Sequence, residues 1–301
     1  MQHKRFLVAF TVSTLKPQVN SSLSPALAQA QLLEMWLHGK SDETQSSYRL
    51  YVSRFLAFVG KPLHLVSLAE VQGFATHLKA CGLSASTQRT MISALKSLLT
   101  FGNKIGVFCA NVGAPVSSPK VKDTLTERIL TESEVQVMIA LETNPRNRAM
   151  LRLLYGVGLR VSELCALTWR DLTGRGDFGQ ATVFGKGSKT RFVLLPATIW
   201  QELMSIRGAA GSDAPVFPSR KQGGHLTRSQ VMRIVRAAAQ RAGIDAKVSP
   251  HWLRHAHASH SLDRGAPIHL VQQTLGHASV ATTSRYLHAR PQDSSARFLT
   301  L

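Results

Sequence analysis

A chain of 301 residues has room for two domains of ordinary size, and 44% hydrophobic with 18% charged residues is a globular composition, not a disordered one. The net charge of +19 calls for a polyanionic partner; residues 1–112 hold 11 Lys and Arg against 4 acids and residues 126–301 hold 23 against 12, so the excess lies on both halves and not on a basic tail. Cys81, Cys109 and Cys165 cannot all pair and lack metal-ligand spacing, which points to a reducing cytoplasm, and no segment approaches the roughly 20 apolar residues that span a bilayer.

Residues 1–25 show no clear period and are expected to form an extension without a fixed fold. Lys4-Arg5 followed by Phe6 to Val12 has a faint likeness to a secretory signal, but the apolar run is short and Lys16 interrupts it. Helical signals then follow one another from 26 to 112. Ala26–His38 ends at Gly39; Thr44–Val59 carries Tyr51, Phe55, Phe58 and Val59 at helical spacing; Leu68–Ala80 stops at Cys81-Gly82. Ser86–Phe101 places Met91, Leu95, Leu98 and Leu99 on one stripe and leaves Arg89 and Lys96 for solvent or phosphate. These stripes predict a helical bundle. Residues 113–125 hold Pro115, Ser117, Ser118 and Pro119, which exclude helix and suit an extended linker.

A second domain is expected over 126–301. Thr131 and Glu134 have capping-box spacing, Asn144-Pro145 starts a helix that runs to about Gly158, and Val161–Trp169 is helical. Ala181–Phe184 and Arg191–Leu195 are short β-rich runs joined by Gly185-Lys-Gly-Ser-Lys189, a hairpin signal. Thr198–Ile206 and a helix capped by Thr227 and ended by Gly243 follow. The class is mostly α with a small β-sheet.

The stretch from Ser249 to Leu287 then brings His251, Arg254, His277 and Tyr286. A cation, two imidazoles and a phenol suit the handling of a phosphodiester with tyrosine as nucleophile. Arginine grips non-bridging oxygens because its planar fork binds two at once and stays protonated. Arg160 opens a helix after a glycine-rich turn, and Arg254 lies three residues after His251 on one helical face. An ammonium near a phosphate can protonate a departing oxygen; Lys186 sits in the hairpin turn with Lys189 and Arg191 close by, and sequence chemistry alone does not choose among them. A phenol with an ordinary pKa near 10 needs a base or a positive field, and His251 is the candidate base.

In order, Arg160, Lys186, His251, Arg254, His277 and Tyr286, with the segment LGHASVATTSRY, resemble the tyrosine recombinases of the phage-integrase and Xer type from about Ser41 onward. The resemblance implies an N-terminal helical core-binding domain and a C-terminal α+β catalytic domain that close on double-stranded DNA. It implies site-specific strand exchange through a 3′-phosphotyrosine link, with no cofactor, no metal and no ATP, by four protomers on paired sites, with accessory proteins in some members. It favours Lys186 as the general acid, assigns His277 to the phosphate, and makes Arg89, Lys96, Lys189 and Arg191 DNA contacts. Glu163 is expected to orient Arg160 or the hairpin lysine. Phe298, Leu299 and Leu301 are expected to anchor on a neighbouring protomer or to fray.

Two features depart from the family: the N-terminal extension and the run His255, His257, His260. His251 and His255 are four apart, but residue 252 is tryptophan where a zinc protease carries glutamate. Asp171, Asp177, Glu202 and Asp213 form no two-metal motif. A type IB topoisomerase and a non-catalytic DNA-binding factor on the same fold are the competing readings.

Overall fold

The structure, a computed structural model, describes residues 25–185, 190–219 and 224–287. The chain divides into two compact units, one through Lys122 and one from Asp123 onward. Of the extension expected over 1–25, residues 1–24 lie outside the described residues, as do Phe298, Leu299 and Leu301, while Pro25 already opens the first helix.

The first unit is helical: α1 (Pro25–Leu37), α2 (Asp42–Val59), α3 (Leu68–Ala80) and α4 (Ala85–Lys104). Start signals in the sequence set the boundaries. Ser67 and Glu70 form a reciprocal capping box ahead of α3, and the Ser84 hydroxyl accepts from the Thr87 amide ahead of α4. The most amphipathic of these helices, α4, buries Met91, Ile92, Leu95, Leu98 and Leu99 against Trp36, Val52, Phe55, Phe74 and Leu78 from the other three. Each such side chain contributes about 1.5–3 kcal/mol when fully buried.

The polar edge of α4 differs from expectation at one position. Arg89 is exposed, but the Lys96 ammonium donates to the Val116 carbonyl at 2.5 Å. The same contact revises the linker. Gly113 is pressed against Leu99 and Val116 is 3% exposed, so the apolar start of 113–125 packs on the helices, while Leu125 packs in the second unit. The stretch 117–122 between them carries no buried residue.

The second unit holds α5 (Glu132–Ala140), α6 (Pro145–Arg152), α7 (Val161–Ala166), α8 (Ala197–Arg207), α9 (Arg228–Arg241), α10 (Pro250–Asp263), α11 (Ile268–Leu275) and α12 (Val280–Ser284). An antiparallel sheet in the order β1-β2-β3 is formed by β1 (Leu172–Arg175), β2 (Phe178–Phe184) and β3 (Thr190–Leu195). β2 and β3 pair with Phe184 opposite Thr190, as a hairpin requires. β1 was not foreseen, because Leu172 is its one buried residue and no alternation announces it. Val161–Trp169 also proves discontinuous: α7 ends at Ala166, and Trp169–Asp171 form a separate 3-10 turn.

The core of this unit gathers Met150, Leu151, Leu154, Leu164, Leu195, Leu203, Val231, Val235, Leu253 and Ala256, so α10 runs through it with one face in apolar contact. After α6 the helix widens into a π-turn over Leu153–Val157 and stops at Gly158, whose φ of +66° belongs to the left-handed region. No described helix is long and apolar enough to cross a membrane.

Candidate active site

Helix α10 starts at Pro250, which sits at the first helical position where its missing N–H costs nothing. Helical spacing then puts His251, Arg254 and His255 on one side of it. His257 and His260 turn to the opposite side, where His257 Nδ1 meets the Tyr155 carbonyl at 2.7 Å and His260 Nδ1 meets the Tyr155 hydroxyl at 3.0 Å.

Arg254 is 5% exposed, an expensive place for a charge. Its Nη1 donates to the Gly158 carbonyl and its Nη2 to the Leu275 carbonyl, both at 2.5 Å. Leu275 ends α11 and Gly158 closes the π-turn, so both oxygens are helix-terminal carbonyls without an intrahelical donor. The guanidinium caps two helix ends at their negative poles. Burial, then the neighbouring Arg160 charge, lower its pKa to about 10, which leaves it protonated at neutral pH.

Arg160 is the N-cap residue of α7. Its Nη1 donates to Glu163 at 2.8 Å and its Nη2 to the Gly276 carbonyl at 2.9 Å. The Glu163 carboxylate also takes two parallel bonds from Arg191, at 2.7 and 2.9 Å, and the Arg160 amide at 2.7 Å. Burial pushes this carboxyl up, but the bonds from Arg191 and Arg160 outweigh it and leave the pKa below its ordinary value. Arg191 is fixed further by its Nε bond to the Thr274 carbonyl. A side chain at Gly276, where φ is +62°, would crowd this guanidinium at 3.1–3.3 Å. Two guanidiniums thus hold one carboxylate while the Arg254 charge lies within its electrostatic reach, and the excess positive charge is what an anion requires.

Tyr286 follows α12 and is 5% exposed. Its ring packs among Ile129, Ala258, Val271 and Leu275 and stacks on His277, with centroids 6.3 Å apart and planes 7° from parallel. Its hydroxyl lies 2.7 Å from His255 Nδ1. Burial raises the phenol pKa while the Arg254 charge pulls it down. His277 is held by a 2.9 Å contact between Nδ1 and the Thr283 hydroxyl. Burial first, then Arg254 and Arg160, lower its pKa to about 4. His255 is lowered to about 4 as well, by burial and then by His251 and Arg254. His251 is more exposed than either; its ring centroid is 6.4 Å from that of His255, and its pKa is lowered by desolvation and the two arginines.

Arg160, Glu163, Arg191, Arg254, His277 and Tyr286, separated by as many as 126 positions, therefore meet at one place, with His251 at its edge. Lys186 and Lys189 lie outside the described residues. Arg191 does not lie on the surface; its side chain is 13% exposed and holds Glu163. The Arg160–Glu163 pair is no solvent-facing salt bridge, because the Glu163 side chain is 3% exposed. The residue that sequence reasoning passed over is His255. Its signal was its position one turn after His251, but inside a histidine run it was weighed only as a metal ligand. Among the described residues no three His, Cys, Asp or Glu side chains converge as a metal-ligand set.

Residues 128–293 match the phage integrase family, and residues 27–101 match the phage integrase N-terminal SAM-like domain. Tyrosine recombinase XerC of Xylella fastidiosa (strain M23) is 35% identical over 260 residues, which are 83% of this chain and 87% of that protein. Tyrosine recombinase XerD of Vibrio cholerae is 33% identical over 290 residues, 90% of this chain and 94% of that one. Among solved structures, a lambda integrase dimer bound to a COC′ core site superposes with a TM-score of 0.72 at 18% identity, covering 89% of this chain and 96% of the other. The XerH site-specific recombinase bound to its difH substrate gives 0.68 at 21% identity, covering 93% and 84%.

Proposed function

This chain belongs to the phage integrase family, and from that premise we propose how its residues act: it is a tyrosine-type site-specific DNA recombinase that breaks and rejoins strands through a covalent 3′-phosphotyrosine intermediate. The observation that carries the assignment of residues is the convergence of a buried tyrosine hydroxyl with a group of arginines whose charge exceeds that of their one bonded carboxylate.

Arg160 and Arg254 take the non-bridging oxygens of the scissile phosphate, and their fixed geometry favours the pentacoordinate transition state, where negative charge is densest. Glu163 and Arg191 are positioning residues that hold Arg160. His277 donates a hydrogen bond to the phosphate and stacks on the nucleophile. Tyr286 Oη attacks phosphorus, the bond from phosphorus to the 5′-oxygen breaks, and Lys186 supplies the proton that oxygen needs. The phosphotyrosine keeps the energy of the broken bond, so a 5′-hydroxyl from another strand reseals it without ATP or a metal.

Double-stranded DNA is the partner that the net charge of +19 favours, with Arg89 on the first unit and Lys189 on the second contributing backbone contacts. Four protomers on two sites make up the active assembly, and the cytoplasm is the compartment of the reaction. Incubating the protein with two labelled duplexes drawn from the sequence flanking its gene tests this reading. Products that join one duplex to the other are expected; relaxation of supercoils without exchange would instead make it a topoisomerase.

A further inference from the structure

The reading of Tyr286 as nucleophile leaves open which group removes its proton, and the inference made here rests on that reading. A phenol raised by burial does not ionise unaided at neutral pH, and a base must lie within hydrogen-bond reach of the oxygen it deprotonates. One side chain meets that condition among the described residues: His255, whose Nδ1 lies 2.7 Å from the Tyr286 hydroxyl. His251 sits a helical turn earlier, is exposed, and has its ring 6.4 Å from that of His255. The His277 ring stacks on the phenol face, and its Nδ1 is engaged by Thr283.

We propose that His255 is the catalytic residue that takes the Tyr286 proton as the phenol oxygen attacks phosphorus, and that it returns the proton when the tyrosine leaves. In the forward step the Tyr286 O–H bond breaks, its proton goes to Nδ1, and the phenol oxygen forms its bond to phosphorus as the 5′-oxygen departs with a proton from the hairpin lysine. Resealing reverses each of these: the incoming 5′-hydroxyl loses its proton, and imidazolium at 255 protonates the departing phenol. Nδ1 accepts from the phenol in the tautomer that carries its hydrogen on Nε2.

The test separates proton removal from mere support of the tyrosine ring. His255→Gln and, as a second variant of smaller volume, His255→Asn are compared with His251→Gln for single-turnover adduct formation on a nicked DNA substrate. Each is made with tyrosine and with a fluorinated, more acidic tyrosine at position 286. The expected result is a 100-fold or larger loss in the His255 variants that shrinks to about tenfold or less with the fluorinated residue, which needs the base less. A loss equal with both tyrosines, or a His255 variant that cleaves at the wild-type rate, would overturn the proposal. So would a fluorine-sensitive defect in His251→Gln alone. Failure of the underlying reading is distinguishable, because a Tyr286→Phe protein would then still form the adduct.

Discussion

The guanidinium of Arg254 reaches across 96 residues of sequence to donate a 2.5 Å hydrogen bond to the carbonyl of Gly158. The bond is possible because Gly158 turns into the left-handed region at φ +66°, which ends the π-turn and leaves its oxygen without a helical donor. A Cβ there would stand 2.6 Å from Leu275 and 2.9 Å from His257. Gly158→Ala is therefore expected to destabilise the protein by about 2–4 kcal/mol from backbone strain and overpacking together. Urea unfolding gives the stability change, and adduct formation in the same variant is expected to fall as Arg254 loses its seat. A variant of wild-type stability would show that this turn is not tight.

Glu163 lies 3% exposed between two guanidiniums. Glu163→Gln leaves Arg160 and Arg191 without a counter-charge, and a cost of about 3–5 kcal/mol is expected from breaking a buried pair. The carboxyl's pKa is depressed below 4.5, so its contribution is complete above that value and is lost as the pH falls through the lower folded-state value. The difference in unfolding free energy between wild type and variant should therefore narrow on acidification below about pH 4.5, measured by denaturant titration.

His255, His257 and His277 act in the same direction at higher pH, because burial, the first cause for each, lowers them to about 4 from 6.5. Above pH 6.5 they are neutral in both states and contribute no pH dependence. Between 6.5 and 4 the unfolded chain binds protons that the folded one does not, so stability should decline on acidification by on the order of 1 kcal/mol per pH unit for each histidine. Urea midpoints at pH 7 and pH 5 measure this, and His257→Asn should flatten the difference.

Lys186→Ala tests the proton donor by chemistry alone. With an ordinary phosphodiester, cleavage is expected to fall 100-fold or more. With a substrate whose 5′-bridging oxygen is replaced by sulfur, the leaving thiolate needs no proton, and the rate should return to within about tenfold of wild type. A defect that persists with sulfur would move the donor to another residue, Lys189 first.

The α-helical bundle and the β2–β3 hairpin were legible in the sequence because capping residues and 3.6- or 2-residue periods are local signals. Thr131 with Glu134 and Thr227 with Gln230 cap α5 and α9 as their spacing requires. β1 was not legible, since an edge strand with one buried residue carries no period. Arg160, Arg254, His277 and Tyr286 could be nominated from the sequence because their types match a family pattern. Their mutual geometry could not: Arg191 and Lys96 look like surface cations until the fold places Glu163 beside one and the Val116 carbonyl beside the other. His255 likewise acquires its partner only when α12 brings Tyr286 back to α10.

Covalent trapping tests the central claim most directly. The protein is incubated in EDTA with duplex DNA from the sequence flanking its gene, nicked near the scissile phosphate so that the cleaved end diffuses away, and the products are separated on a denaturing gel. A shifted protein–DNA adduct with wild type and none with Tyr286→Phe is the predicted result. Tyr286→Phe removes one hydrogen bond, to His255, and is expected to cost about 0.5–1.5 kcal/mol, so the variant should still fold and bind. An adduct of equal yield from Tyr286→Phe would contradict the account by placing the nucleophile elsewhere.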